Sequence, residues 1–535
     1  MKAVTVVGSG PSGVHYALTL LMKGRRVRMI DVGFDKPAAV RATDTLPQLK
    51  ASLADPVQYF LGADYDHITY PGAAGEYYGI PPGREYVFRQ PAGFDVRSRG
   101  FSPLFSFARG GLAEAWTGGV YPFNEAELSQ FPFGHRDIAP YYSEVARRIG
   151  VNGERDDLER FMPAHDHLQA PLELDTHSNR LIERYRRVKA RLNSELRCYL
   201  GRSRLATLTQ ARDGRDPCRY LGRCLWGCPV NALYTPSLTL AECLRHPDFE
   251  YVPGVHVTHF TVDARRRVRR VQGRLTGGGA FDEGCDALVL AAGALSTSHI
   301  FLESVYRATG EVLRLPGLMD NQQVLVPFLN FDMLGVPYEP ASYQYHMLGM
   351  GLECEEPHRY VHGQITTLKT TMAHPILKSL PFDMRASTAA FRHVRSALGL
   401  INVNFHDERR PECALTLEPR GSPELSGLRI EYSPWPGEQA HIADALKRVR
   451  SALVKLHCYA PPPMIHVRPK GASVHYSGTL PMTAQGGSCS ATADGRSRDY
   501  ENLFFADGAT FPFLPAKNIT FSLMANAVRA ADLAF

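Results

Sequence analysis

The start of the chain alternates between two kinds of hydrophobic pattern. Val4–Val7 form a short run of apolar and β-branched residues, which is typical of a strand buried in a parallel sheet. Apolar residues then recur at helical spacing as far as Leu21. A second strand pattern covers Val27–Ile30 and ends at the acidic residue Asp31. The pattern therefore predicts a strand, a helix and a second strand, in that order.

A glycine motif joins the first strand to the helix. Gly8, Gly10 and Gly13 are spaced as G-x-G-x-x-G. The first permits a tight turn, the second lets the backbone approach a pyrophosphate, and the third allows close packing of helix on strand. Ser12 lies at the start of the helix, where free N–H groups face a phosphate. Asp31 is placed to accept hydrogen bonds from an adenosine ribose, so the motif predicts FAD or NAD rather than NADP.

Composition excludes several classes of protein. Of the 535 residues, 44% are hydrophobic and 21% charged, which is ordinary for a globular protein. The net charge is +6, and the densest basic run, Arg265–Arg270, contains no aromatic residue, so it predicts a solvated hairpin turn rather than a nucleic-acid site. The longest apolar run, residues 286–295, is too short to span a membrane. With no visible signal peptide and no disulfide framework among the ten cysteines, we expect a cytoplasmic protein without nucleic-acid or membrane partners.

Four segments resemble one enzyme family. Residues 501–535 contain a strand, Asp507-Gly508, a proline-containing loop and a final alanine-rich helix. Residues 108–119 (ARGGLAEAWTGG) form a glycine-rich segment, and residues 291–304 (AAGALSTSHIFLES) form a second signature that departs from the usual pattern at Phe301. Residues 426–456 read as a strand followed by a helix. This set resembles the glucose–methanol–choline (GMC) family of FAD-dependent alcohol oxidoreductases, and the resemblance implies FAD rather than NAD.

The resemblance also implies two catalytic residues. His475, in GASVHYSGTLPM, matches the histidine that the family places beside the flavin N5, and Asn518 matches the second active-site residue in the loop before the last helix. An imidazole with an ordinary pKa of about 6.5 suits the removal of a hydroxyl proton while hydride leaves carbon for N5. Asn518 would hydrogen-bond the substrate oxygen without competing for the proton. The small residues around His475 leave room for substrate and isoalloxazine.

The cofactor site implied by the resemblance extends beyond the first motif. Ala115 stands where some members carry the histidine that tethers the flavin, so FAD is expected to bind noncovalently. Trp116 packs either against the flavin or in the ordinary core. The further residues implied to contact the cofactor are Gly110, Gly111, Ala115, Trp116, Val257, Ala292, Gly293, Asp507, Gly508, Asn518 and Ile519.

These pieces predict an α/β chain with two discontinuous domains. We expect a Rossmann-like FAD-binding domain with a parallel sheet and a substrate domain with a mostly antiparallel sheet flanked by helices. Strand patterns with a hairpin lead to a buried strand at Ala287–Ala291, and an amphipathic helix covers Gln439–Leu456. The FAD-binding domain is predicted at residues 1–50, 95–130, 210–305 and 465–535, and the substrate domain with its cap elements at 51–94, 131–209 and 306–464.

A group of three cysteines leaves two interpretations open. Cys218, Cys224 and Cys228 are spaced C-x5-C-x3-C and precede a proline, as in some family members that bind an iron–sulfur cluster. The alternative is reduced structural cysteines. Zinc is disfavoured, since no histidine is near to complete tetrahedral ligation.

The function predicted from these residues is FAD-dependent oxidation of a CH–OH group to a carbonyl. The expected substrate is an alcohol, by analogy a sugar, a glycoside or another polyhydroxylated natural product, and the electron acceptor is molecular oxygen or another acceptor. Four alternatives stay open: a lyase of the same family, a dehydrogenase that passes electrons through an iron–sulfur cluster, a flavin-binding protein without catalysis, and an NAD-dependent dehydrogenase.

Overall fold

Five strands form one parallel sheet in the computed structural model, which describes residues 3–41, 43–62, 65, 80–368, 377, 380–420 and 425–535. Across the sheet the strands are Leu503–Phe505, Ala287–Leu290, Val4–Val7, Val27–Ile30 and Phe249–Val252. They are short, apolar and mostly buried, as parallel strands covered on both faces must be.

Helices pack on one face of the parallel sheet. The first helix and the last pack against each other and bury small and aliphatic residues such as Ala17 and Ala527 on one face. The opposite face joins the largest core of the molecule. The helices are α1 (Pro11–Met22), α2 (Leu46–Ser52), α3 (Pro56–Leu61), α4 (His135–Ile149), α5 (Thr176–Leu196), α6 (Pro236–Cys243), α7 (Ala294–Thr309), α8 (Met384–Val394), α9 (Glu438–Lys455) and α10 (Thr520–Ala534).

A second, larger sheet is antiparallel and has two unlike faces. One face presents aliphatic side chains such as Val326 and Ile401 to helices α5 and α9. The other face carries polar side chains, because Gln323, Asn404 and His362 lie opposite one another on three adjacent strands. Its strands, in order, are Cys458–Tyr459, Gln323–Asn330, Leu398–Asn404, Val361–Thr367, Leu348–Leu352 and Cys198–Arg202, with His466–Val467 also paired to Gln323–Asn330.

Smaller sheets occur beside the parallel sheet and the large antiparallel sheet. A four-stranded sheet contains Arg314–Pro316, Ala414–Glu418, Gly427–Glu431 and Val96–Arg99. A three-stranded sheet contains Ala280–Gly284, Val268–Leu275 and Val255–Val262. Three strand pairs complete the set: Met319–Asp320 with Tyr476–Ser477, Asp407–Glu408 with Phe513–Leu514, and Val151–Asn152 with Leu168–Gln169.

The predicted fold class is confirmed. Where the observed end of a helix or strand differs from the predicted end, the difference is one residue. The buried strand predicted to reach Ala291 ends at Leu290, and the helix predicted from Gln439 to Leu456 runs from Glu438 to Lys455. The basic run begins in the predicted hairpin turn, at Arg265 and Arg266, and continues onto the strand Val268–Leu275 with Arg269 and Arg270. Within the described residues, the helices fall short of the length and apolar character needed to cross a bilayer.

The predicted domain boundaries stay a prediction. Parts of the ranges 51–94 and 306–464 lie outside the described residues. Four strand pairings in the described structure cross the predicted division. Val96–Arg99, His466–Val467, Tyr476–Ser477 and Phe513–Leu514, all assigned to the FAD-binding domain, each pair with a strand assigned to the substrate domain.

Candidate active site

A cavity opens at the carboxyl ends of the parallel strands, where ligands bind in open α/β sheets. Four strands each contribute the residues that follow them. Gly8 follows the first strand, Asp31 the second, Ala291–Gly293 the third and Asp507 the last. The cavity holds about 1320 Å³ of empty space, its open mouth included, and His475 also lies in its wall. A site for an elongated ligand therefore connects the glycine motif to the predicted catalytic histidine.

The glycine motif has the geometry that its spacing predicts. Gly8 has a φ of 99°, and a Cβ there would lie 2.6 Å from the carbonyl oxygen of Ala291. A Cβ on Gly13 would lie 2.0 Å from the carbonyl oxygen of Gly8. By contrast, a Cβ on Gly10 would project into open space in the cavity wall. Two glycines thus permit close packing, and the third leaves the backbone accessible to a ligand at the start of α1.

Asp31 is held by a relay of hydrogen bonds. The Gly110 N–H donates to Ser9 Oγ at 2.9 Å, and the Ser9 hydroxyl donates to the Asp31 carboxylate. The Tyr251 hydroxyl donates to the same carboxylate oxygen at 3.2 Å. Burial raises the pKa of Asp31 to about 6, against the hydrogen bonds from Ser9 and Tyr251. The backbone N–H groups of Val32 and Ser9 also stabilise the charged form of this carboxylate.

A second buried acid, Asp507, joins two signatures that are distant in sequence. It accepts hydrogen bonds from the Gly293 N–H at 2.9 Å, the Thr297 hydroxyl at 2.5 Å and the Ala509 N–H at 3.0 Å. Burial raises its pKa to about 6. A Cβ on Gly508 would lie 2.5 Å from the carbonyl oxygen of Tyr476, so this glycine allows the end of the last strand to approach the histidine loop.

The loop that carries His475 is strained and tightly held. Val474 has a φ of 60°, a left-handed conformation that is unfavourable for a β-branched residue. Asp320 accepts hydrogen bonds from the Gly471 N–H at 2.8 Å and from the Ser473 hydroxyl. The His475 N–H donates to Ser473 Oγ at 2.9 Å. The loop therefore depends on a buried carboxylate that belongs to a different strand.

The imidazole of His475 is buried and neutral. Its Nδ1 lies 3.1 Å from Asn321 Oδ1. Burial, and to a smaller extent the charge of Arg468, lower the pKa of His475 to about 4. The side chain therefore stays unprotonated at neutral pH, which is the form that accepts a proton.

Asn518 faces the polar side of the antiparallel sheet. Its Oδ1 accepts a hydrogen bond from Gln364 Nε2 at 2.8 Å, and Gln364 also donates to the Tyr121 hydroxyl at 3.3 Å. The Tyr121 ring packs edge-on against His362, with centroids 4.4 Å apart. Burial and then the neighbouring His346, Lys517 and His475 lower the pKa of His362. Asn518 and His475 thus border one polar region, although Asn518 is not in the wall of the cavity among the described residues.

Most of the residues predicted to contact the cofactor lie in the wall of this cavity. Those in the cavity wall are Gly8, Gly10, Ser12, Asp31, Gly111, Val257, Ala292, Gly293, Asp507, Gly508 and Ile519, together with His475. Gly13 and Gly110 lie behind the wall and shape it.

Ala115 and Trp116 are not in the cavity wall among the described residues. The Trp116 indole N–H donates to the Tyr234 carbonyl oxygen at 2.6 Å, and the two rings pack edge-on. Their contact with the cofactor stays a prediction.

The three cysteines lie near one another without forming a metal site. Burial, and then the neighbouring Cys218 and Cys228, raise the pKa of Cys224 well above its ordinary value. Among the residues that the structure describes, no group of three His, Cys, Asp or Glu side chains is arranged to hold a metal ion. All three cysteines are free thiols. The structure thus gives no support to the iron–sulfur alternative.

Several residues of the site escape sequence reasoning. Ser9 lies inside the glycine motif, so a search for polar residues between the glycines would have found it. Gln364 lies on a strand with alternating polar and apolar residues, and that alternation is a detectable signal of a polar sheet face. Asp320 and Asn321 carry no local signal, since their roles depend on a loop about 150 residues away in the chain.

The parallel sheet, its glycine turn and its two acids define a dinucleotide-binding α/β protein. Residues 409–527 match the C-terminal domain of the GMC oxidoreductases. The resemblance inferred from sequence is thereby confirmed over residues 409–527, where the chain is similar to the GMC oxidoreductases.

Three solved structures share the fold over the full chain. Pyridoxine 4-oxidase from Mesorbium loti has a TM-score of 0.60 at 15% identity, covering 100% of this chain and 99% of that one. An FAD-dependent oxidoreductase from Chaetomium thermophilum has a TM-score of 0.60 at 13% identity, with 100% and 99% covered. A formate oxidase has a TM-score of 0.61 at 11% identity, with 100% and 98% covered. At these identities the likeness concerns the fold alone, and no curated protein sequence matches the chain.

Proposed function

We propose that the protein oxidises a CH–OH group of a small alcohol to a carbonyl, with FAD as the cofactor and His475 as the general base. The observation that carries this proposal is the course of the cavity, which begins at Asp31 and the glycine motif and reaches a buried neutral imidazole. A dinucleotide cofactor and a proton acceptor are the two components that such an oxidation needs.

The residues in the cavity wall fit FAD. Asp31 offers a carboxylate oxygen to the ribose, and Gly10 leaves open space beside the N–H groups of α1 for a pyrophosphate. Asp507 and Gly293 border the middle of the cavity, and Ile519 lies at the start of α10. When bound, FAD supplies the hydride acceptor. Noncovalent binding is part of the proposal, because Ala115 has no nucleophilic side chain at the position of the tethering histidine.

His475 takes the hydroxyl proton in this proposal, and Asn518 orients the substrate oxygen. Because Asn518 Oδ1 already accepts a hydrogen bond from Gln364, its amide N–H groups point to other acceptors, such as a substrate oxygen. The imidazole is neutral above the lowered pKa and is therefore in its basic form at physiological pH. His475 is buried and Asn518 is half-buried, so water is kept from the imidazole, which strengthens its hydrogen bond to the substrate.

The proposed substrate is an uncharged polyhydroxylated compound such as a sugar or a glycoside. The support is the polar face of the antiparallel sheet, where Gln323, His362, Gln364 and Asn404 provide buried neutral donors and acceptors. Molecular oxygen or another acceptor would then reoxidise the flavin.

A screen of alcohols for anaerobic flavin reduction tests the proposal. The purified protein is expected to be yellow, to release FAD on denaturation, and to bleach with the right alcohol. H475A should retain bound FAD and lose at least about a hundredfold in the reduction rate constant, since a general base contributes about that much or more. H177A is the matched control, because His177 is also a buried histidine but packs against Phe328 beneath the antiparallel sheet. A flavin that stays oxidised while product forms would instead indicate a lyase.

A further inference from the structure

Asn321 contacts the proposed base in an orientation that the structure fixes. Its Nδ2 donates to two carbonyl oxygens, that of Phe405 at 2.8 Å and that of Pro515 at 2.7 Å. Carbonyl oxygens only accept hydrogen bonds, so the amide nitrogen must face them and the amide oxygen must face His475. Asn321 is 1% exposed, so no water competes for these positions.

We propose that Asn321 is a positioning residue that fixes the tautomer of His475. Since Asn321 Oδ1 accepts, the Nδ1 that lies 3.1 Å away must carry the proton. The lone pair of the neutral ring is then on Nε2, and no residue in the described structure hydrogen-bonds that nitrogen. Nε2 is therefore the atom that takes the hydroxyl proton. This inference depends on the proposed role of His475.

Asp320, the residue before Asn321, fixes the backbone of the loop that carries His475. Asp320 binds the Gly471 N–H and the Ser473 hydroxyl, while Asn321 binds the ring that follows two residues later. Consecutive residues at the end of one strand thus control both the path of the loop and the protonation of the imidazole. The left-handed Val474 between them cannot relax while both contacts are present.

The first test reads the tautomer directly, without turnover. In protein labelled with ¹⁵N-histidine, the nitrogen chemical shifts distinguish a protonated ring nitrogen from an unprotonated one. The signals of His475 are those lost in H475Q. We expect Nδ1 to be protonated and Nε2 unprotonated in the wild type at neutral pH, and we expect N321L to populate the opposite tautomer. A wild-type His475 protonated at Nε2 would overturn the inference.

The second test compares two substitutions, only one of which keeps an acceptor for the His475 Nδ1 proton. N321L and N321D both remove the amide donors to Phe405 and Pro515, but only N321D keeps an oxygen that accepts from Nδ1. N321L should lower the rate constant of flavin reduction about tenfold to a hundredfold, by analogy with the loss of groups that orient a ligating histidine. N321D should retain more of the rate.

A matched control separates positioning from loss of structure. Asn502 is 5% exposed and makes the same set of bonds, donating to the Val268 and Asp286 carbonyl oxygens and accepting from the Val268 N–H. N502L should therefore lose equivalent bonds and keep the wild-type reduction rate. A loss in N502L equal to that in N321L would overturn the inference.

A double-mutant cycle distinguishes failure of the inference from failure of the proposed function. If Asn321 acts through His475, N321L should have no further effect on the rate in the H475A background. An equal further loss in the double mutant would overturn the inference and leave the base intact. A wild-type rate in H475A would instead refute the proposed function, and the nitrogen shifts would still report whether Asn321 sets the tautomer.

Discussion

The buried ion pair between Lys517 and Glu127 offers the sharpest test of how the active-site loop is held. Both side chains are 0% exposed, and their charged atoms lie 2.5 Å apart. The ammonium group also donates to the Pro122 carbonyl oxygen at 2.8 Å and the Phe161 carbonyl oxygen at 2.6 Å, so all three of its N–H donors are used. Lys517 directly precedes Asn518, and K517M therefore removes the anchor of that residue.

The expected loss of stability follows from the geometry. At an effective dielectric constant of about 20, unit charges 2.5 Å apart attract by about 7 kcal/mol. Burial raises the pKa of Glu127 and lowers the pKa of Lys517 against the pull of the partner, which shows that desolvation offsets much of that attraction. Removing one partner leaves the other charge buried and unpaired, so K517M should lower the free energy of unfolding by about 3–5 kcal/mol.

Urea unfolding followed by tryptophan fluorescence measures this loss at neutral pH. The double variant K517M/E127L should be more stable than K517M, because no unpaired charge remains. K189M is the control, since the Lys189–Asp157 pair, 2.7 Å apart, is partly exposed and should contribute no more than about 1 kcal/mol. A loss below about 1 kcal/mol in K517M, or a double variant that shows the sum of the two single losses, would refute the reasoning.

Three further predictions follow from the site. Gly13→Ala should abolish FAD binding, measured by the flavin content of the purified protein, because the new methyl group would lie 2.0 Å from the Gly8 carbonyl oxygen. The rate constant of flavin reduction should fall only as the pH drops well below 6.5, because burial lowers the pKa of His475 and protonation removes the base. Gln364→Leu should lower that rate constant about tenfold with FAD binding unchanged, since Asn518 loses the donor that orients its amide.

Each of these predictions has a matched control. Gly10→Ala should fold normally, because a Cβ there meets no atom within 4 Å. H475A should lack the acid-side fall in rate that the wild type shows, and a fall that persists would assign it to another group. Gln344→Leu alters another buried glutamine, 4% exposed like Gln364, whose side-chain oxygen accepts from the Leu225 N–H. An equal loss of rate in both glutamine variants would argue against a specific role for Gln364.

The sequence predicts well those parts of the molecule whose structure is determined by residues close together in the chain. Val4–Val7, the glycine turn and Val27–Ile30 are adjacent in the chain. Gly8 is required by an atom on the next strand of the sheet, and Gly13 by an atom a few residues away. Asp31 could be placed because it ends a strand that pairs with the first. Periodicity and short-range sterics are sufficient for this unit.

The catalytic side of the cavity could not be derived in the same way. His475 was identified by resemblance, since a histidine in a loop of small residues has no local signature of chemistry. Its contact with Asn321 joins residues 154 positions apart. The environment of Trp116 could not be predicted either. Its position in the glycine-rich segment does not reveal that its indole N–H donates to the Tyr234 carbonyl oxygen. Such contacts depend on how distant elements pack.

The positions of the charges explain why the reaction region itself is neutral. His475, Asn518 and Gln364 carry no charge at neutral pH, since burial lowers the pKa of the imidazole and the other two are amides. The buried charges lie one contact away and hold backbone: Asp320 fixes the histidine loop, and Lys517 fixes the loop that ends at Asn518. A charge in direct contact with the substrate would favour one protonation state of the hydroxyl before reaction. In the proposed reaction, charges that hold only the loops keep donor and acceptor in place and leave the proton transfer to the imidazole.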